Sequence, residues 1–140
     1  MTRWLKRAAL AALLALSPLA QADDATYQAL GGKDGIRNIV RTFIPLLQAD
    51  ERIKSFFADT DTAQLAQRLG EQFCALSGGP CTYKGKDMAT IHDGLNITNA
   101  HFNALTEDLQ IAMERNGVPS RIQNQLVAKL APLQRSIVTK

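Results

Sequence analysis

Three glycine-centred breaks decide what this chain can fold into. Gly31-Gly32, Gly78-Gly79-Pro80 and the stretch Asn116-Gly117-Val118-Pro119 cut it into segments. Within each segment apolar residues return at every third or fourth position, the period of an α-helix. No stretch sustains the two-residue alternation of β-branched residues that a half-buried strand would show, so strands are not expected. The reading is an all-α single domain.

The segments follow in order. "ATYQALGG" is a short helix stopped by Gly31-Gly32. Asp34 is placed to cap the next helix, where Ile36, Ile39, Val40, Phe43, Ile44 and Leu47 form one stripe. Pro45 removes a backbone donor inside it, so a kink is expected. Asp50–Phe57 reads as a short helical turn ending in two aromatics. Asp61 or Thr62 opens a helix through Leu76, with Leu65, Leu69, Phe73 and Leu76 within about 80° of one another. Cys74 points away from that stripe, which suits a tie to the following loop better than a core role. Asp87 caps one or two turns over Asp87–Leu95. Thr98 or Asn99 opens a longer helix carrying Phe102, Leu105, Leu109 and Met113. Pro119 suits the first position of a last helix, whose stripe (Ile122, Leu126, Leu130, Leu133, Ile137) is interrupted by Pro132.

The first 22 residues read differently. Arg3, Lys6 and Arg7 precede the apolar run Ala8–Ala20, and Ala20-Gln21-Ala22 is a small-residue cleavage signal. This is the pattern of a secretory signal peptide. The run is too short for a bilayer, which needs about 20 residues, and Pro18 breaks it, so no stable membrane anchor is expected after cleavage. Residues 23–140 are then the domain, in a periplasm or secreted. Losing three of the 16 basic residues leaves 13 against 13 acids, a neutral chain. The basic charge of the full chain therefore says nothing of nucleic acid, and no basic stripe interleaved with aromatics is present.

Cys74 and Cys81 are the two cysteines. In an oxidising compartment they are a disulfide candidate; the alternative is two free thiols. Closing so short a loop contributes roughly 2.5 kcal/mol in the chain-entropy view. No CxxCH is present, so covalent c-type haem attachment is not indicated.

Both histidines lie in "MATIHDGLNITNAHF", Met88–Phe102. His92 ends a short helix, with Met88 and Ile91 at helical spacing and Leu95 and Ile97 beyond. An imidazole among aliphatic side chains suits a flat apolar cofactor held by one axial bond, as haem is. No HxxxH, CxxC or carboxylate at ligand spacing accompanies it, which argues against structural zinc.

The motifs together resemble the group I truncated haemoglobins. "YQALGG", "FFADTD", "FCALSGGPCTYKG", "MATIH", "ITNAHF" and "RNGVP" carry the likeness, from Tyr27 to about Val138. The two Gly-Gly turns, Tyr83-Lys84-Gly85 and the Met-x-x-x-His of Met88–His92 stand in the family's order and spacing. The resemblance implies a two-over-two helical sandwich around one haem b, with His92 as proximal iron ligand. It implies Phe57 against the porphyrin, and Leu65, Leu69 and Phe73 on the distal side. Met88, Ile91, Ile97 and Phe102 would fill the proximal side, and Tyr83 and Lys84 would meet the propionates at the haem edge. His101 is not the expected ligand. A monomer is expected.

One departure from the family bears on chemistry. Many members carry a Tyr that bonds the iron's gas ligand; its place is taken here by Ile44. Distal-helix positions that often hold Gln or His match Leu65, Arg68 and Leu69. The distal pocket (Ile44, Leu65, Arg68, Leu69) is thus expected to be apolar, with Arg68 its nearest polar group, able to swing inward but expected to face solvent. One distal hydrogen bond is worth roughly 1–1.5 kcal/mol, or about tenfold in affinity. Without it, O2 should leave faster and CO be affected less. The expected function is reversible binding of a diatomic ligand, O2, NO or CO. The alternative is a haem enzyme that turns over NO or peroxide with an external electron donor. A haem-free protein-binding module and an electron carrier are the remaining readings.

Overall fold

The computed structural model of the protein describes residues 24–140; the signal peptide expected over residues 1–22 lies outside the described residues. Every regular element among the described residues is helical. A short α1 (Ala25–Ala29) leads into α2 (Gly32–Ala49). A 3-10 turn follows at Lys54–Phe57, then α3 (Thr62–Leu76). After a long loop come α4 (Met88–His92) and α5 (Asn99–Arg115). The chain ends in α6 (Ser120–Leu130), a 3-10 turn at Ala131–Leu133 and α7 (Gln134–Ile137).

The four long helices form two layers. α2 packs on α3 and α5, and α6 packs on the same two helices. That is the expected two-over-two sandwich. The stripe read on α2 is the face it buries: Ile36, Ile39, Val40, Phe43, Ile44 and Leu47. Phe43, Leu109, Met113 and Leu126 are completely buried at the centre. Each such side chain stabilises the fold by about 1.5–3 kcal/mol relative to leaving it in water.

Helix starts were legible where a side chain supplies the cap. Asp61 accepts from the Ala63 and Gln64 amides at the head of α3, and Asp87 accepts from Thr90 at the head of α4. Both satisfy amides that have no partner within the helix. Asp34 does not cap α2. The left-handed Gly31 (φ 95°) is the N-cap, and Asp34 lies in the first turn, paired with Arg37 at 2.9 Å. The helix also runs unbroken through Pro45, whose ring and whose would-be partner Arg41 both lie on the exposed face. Water can serve the unpaired carbonyl there. The Asp50–Phe57 segment is helical only as the 3-10 turn over its last four residues. Pro119 is the N-cap of α6, one residue before the helix proper, and Pro132 ends that helix in a second 3-10 turn.

Cys74 corrects another expectation. It is bonded to Cys81, with Cα atoms 5.8 Å apart, but it is also 3% exposed and belongs to the core. The reason is Gly79. Its missing side chain lets the loop fold back until Tyr27 and the Cys74 sulfur would each lie 2.5–2.7 Å from a Cβ there. α1 and the loop together cover the side of α3 that would otherwise face solvent.

Candidate functional site

Between α3, α4 and the first half of α5 the sandwich opens into a cavity of about 690 Å³. That is a cofactor-sized volume, within the roughly 300–1,000 Å³ of small-molecule sites. Along α3 two parallel rows meet it. Leu65, Leu69 and Phe73 form an apolar row, and Gln64, Arg68 and Gln72 a polar row beside it, both at four-residue spacing. The polar row is tied back to the protein. Arg68 reaches both carboxylate oxygens of Glu71 at 3.0–3.1 Å, and the Gln72 amide lies 3.3 Å from the Met88 sulfur. Gln64 makes no side-chain hydrogen bond among the described residues.

The opposite wall comes from Met88, Ile91, His92, Leu95, Ile97 and Phe102, with Leu133 and Ile137 beyond. Ile91 and Leu95 are 43% and 40% exposed. Large aliphatic groups grouped at a cavity rim make it a candidate surface for an apolar ligand. Tyr83, Lys84, Gly85 and Lys86 close one edge. Tyr83 lies over Gly85 and its hydroxyl donates to the Lys86 carbonyl at 2.7 Å. Burial pushes its phenol above the ordinary range. The Lys84 amide donates to Glu71 at 3.0 Å, and that bond, with Arg68, holds the Glu71 carboxyl below its usual range.

Hydrogen bonding separates the two histidines. The Nδ1 of His92 lies 2.7 Å from the Met88 carbonyl, which can only accept. His92 therefore carries its proton on Nδ1 and leaves the Nε2 lone pair free for a metal. His101 is the reverse. Its Nδ1 accepts from the Thr98 amide at 3.1 Å, in a reciprocal capping box with the Thr98 hydroxyl at the head of α5. Its proton is then on Nε2, with no lone pair to offer. Its ring meets Phe56 edge-on, centroids 4.9 Å apart.

Phe57, Leu65, Arg68, Leu69, Phe73, Tyr83, Lys84, Met88, Ile91, His92, Ile97 and Phe102 all line this one cavity. Ile44 does not. It is 8% exposed within the core, and Leu47, one turn on, is the α2 residue at the wall. The stripe of α2 is wider than the cavity, so its members divide between core and wall. Arg68 neither swings inward nor floats in solvent, because Glu71 holds it at the rim. Leu47, Ile53, Phe56, Gln64, Gln72, Leu105 and Thr106 also line the cavity and were not expected at the site; Leu47 and Leu105 were read only as members of apolar helix stripes. For Gln64 and Gln72 the signal was present: each stands one residue before a wall residue, Leu65 or Phe73, on the helix.

A family described as bacterial-like globin matches residues 25–139. The chain is similar to a group 1 truncated haemoglobin of Tetrahymena pyriformis, 32% identical over 114 residues, covering 81% of this chain and 94% of that protein. It is similar to group 1 truncated haemoglobin GlbN of Mycolicibacterium paratuberculosis, 34% identical over 113 residues, covering 81% and 83%. The solved Fe(III) structure of the Tetrahymena protein superposes with a TM-score of 0.79, covering 82% of this chain and 98% of that one.

Proposed function

The chain belongs to the bacterial-like globin family, and we propose that it is a haem b protein that reversibly holds a diatomic ligand opposite His92. Membership of the family implies a haem cofactor and gas binding in general. The observation that carries the finer reading is the His92–Met88 hydrogen bond, which presents one imidazole nitrogen to the cavity from its aliphatic wall of Met88, Ile91, Leu95 and Ile97. The residues fit the group. Leu65, Leu69 and Phe73 would lie against one face and Met88, Ile91 and Phe102 against the other. Arg68, Lys84 and Lys86 stand at the rim, where carboxylates would sit.

When bound, haem supplies an iron with one open position. The chain's own part is to hold the axial imidazole, exclude water and set the polarity of the ligand side. Leu47, Leu65 and Leu69 supply no hydrogen-bond donor there, and Arg68 is engaged with Glu71. That leaves the Gln64 amide, unpartnered among the described residues, as the α3 donor free to turn toward a ligand. With Gln64 turned away, ligands of low polarity, CO and NO, are favoured over O2. The haem spectrum of the full chain with added haemin tests the assignment, beside His92→Gly. One haem per chain, with the axial signature lost in the variant and regained on adding imidazole, is the expected result. No stoichiometric uptake, or a variant identical to the parent, would sink the reading.

We also place the chain in an oxidising compartment, a periplasm or the cell exterior. The Cys74–Cys81 bond supports this, since such bonds persist where thiols are not kept reduced. N-terminal sequencing of the protein made in a bacterium should begin at Asp23; a retained Met1 would refute it.

A further inference from the structure

The disulfide lies outside the haem chemistry, yet it sits at the base of one cavity wall. Cys74 is in the last turns of α3, the helix that carries Leu65 and Leu69. Cys81 opens the non-helical stretch that carries Tyr83, Lys84, Gly85 and Lys86 along the cavity edge.

The ties of this stretch can be followed one at a time. Ser77 and Gly79 are pinned from within: the Tyr27 amide donates to the Ser77 carbonyl, and the Gly79 amide to the Cys74 carbonyl at 2.8 Å. The Tyr83–Lys86 hydrogen bond is internal and moves with the loop. Asp87 belongs to the cap of α4. Among the described residues, two covalent or hydrogen-bond links join Pro80–Lys86 to α3. One is the disulfide; the other is the Lys84 amide on Glu71, an acid it shares with Arg68. Opening the disulfide leaves one hydrogen bond between this stretch and α3, beside the packing of Cys81 on the core and the Gln72–Met88 contact at the head of α4.

We infer that the Cys74–Cys81 disulfide is a redox-operated clasp on the haem edge, closed to retain the cofactor and opened by a dithiol reductant to release it. The inference rests on the haem reading above. The bond is approachable from one side, because Cys81 is half-buried while Cys74 is 3% exposed. A reductant thiolate attacks the Cys81 sulfur, the Cys74–Cys81 bond breaks, and Cys74 leaves as a thiolate that takes a proton. The reductant's second thiol then attacks the mixed disulfide, frees Cys81 as a thiol and closes its own disulfide. Two electrons and two protons pass to the protein.

The test is haem transfer from the loaded full chain to an excess of a haem-free acceptor globin. It is run on the oxidised chain, on the chain reduced with dithiothreitol, and on the doubly substituted Cys74→Ala, Cys81→Ser chain, which needs no reductant. Transfer is expected to be about tenfold faster in the second and third than in the first. In the haem-free chain, hydrogen exchange should speed up over residues 80–86 and stay unchanged over α2. Val118→Ala, buried but off the cavity, supplies a chain destabilised without touching the clasp. Equal transfer rates in the oxidised and opened chains overturn the inference. So does equally fast loss from Val118→Ala at a matched melting temperature, or loss of the helical circular dichroism on reduction, which would make the bond a staple of the whole fold. A chain that takes up no haem in any form overturns both this inference and the haem reading.

Discussion

The two halves of the sandwich use the same residue types to different ends. On the α2–α5–α6 side, Phe43, Leu109, Met113 and Leu126 have no exposure at all. On the α3–α4 side, Leu65, Leu69, Phe57 and Met88 are only half-covered, and Ile91 and Leu95 stand open. Both sets keep helical register, so amphipathicity alone does not separate them. Closure does. A stripe that meets another helix becomes core, and a stripe that meets nothing among the protein's own elements is a wall. α5 shows both along one helix: Leu109 and Met113 are sealed, while Phe102 and Leu105, a turn or two earlier, face the cavity. Phe73 joins the halves, 2% exposed, lining the cavity and 6.1 Å from the Phe43 ring.

The strongest way to break this contrast is to truncate one residue of each kind. Phe43→Ala should destabilise by about 3–5 kcal/mol, because a sealed site cannot collapse around the lost ring. The loss should be the same with and without haem, measured by denaturant unfolding. Leu69→Ala should cost about 1 kcal/mol in the haem-free chain, where the side chain is half in water already. In the loaded chain the cost should rise to about 2–3 kcal/mol, as for a Leu buried on all sides. If Leu69→Ala costs the same in both states, the wall is not a surface completed by the cofactor, and the contrast between the halves has no functional meaning.

How much of this was legible in sequence follows the same division. Helices were readable because their causes are local: the 3.6-residue period, Asp61, Asp87 and Thr98 as caps, glycines at the stops. His92's place at the cavity was legible because an imidazole in aliphatic company at the end of a short helix has few uses. Ile44 was not placed correctly, because choosing between core and wall on one stripe depends on the crossing of α2 over α3, which is a tertiary fact. The pinning of Arg68 by Glu71 was hidden for a related reason. The pair is an ordinary i, i+3 match, but what fixes it is the Lys84 amide arriving from a loop thirteen residues on. Cys74 looked like an outward residue because α1, which covers it, is distant in sequence.

The sealed half has one flaw, and it yields the smallest effect. Gln123, its other buried polar residue, is satisfied: the side-chain amide donates to Glu114 and to the Val118 carbonyl. Asp108 is 5% exposed and its Oδ2 has no partner of this kind. It shares its site with Asp50, Arg52 and Glu107. Burial first, and the Asp50 carboxylate second, push the Asp108 carboxyl up to about 7 from an ordinary 3.8. Asp50 moves the opposite way, held below the usual carboxylate range by the Arg52 guanidinium and then by the Asp108 hydroxyl. The signs differ accordingly. Between pH 3.8 and about 7 the folded chain keeps a proton on Asp108 that the unfolded chain has lost, so stability falls as pH rises through that window. The Asp50 contribution is present throughout it and is lost only in stronger acid. Asp108→Asn donates to Asp50 at every pH and has no proton to lose. Its melting temperature should be flat from pH 5 to 8 where the parent's declines, and at pH 8 it should melt about 3–6 °C higher, for roughly 1 kcal/mol. Parallel curves for the two chains would mean that Asp108 is solvated in both states, and that this half is less tightly sealed than its other buried groups indicate.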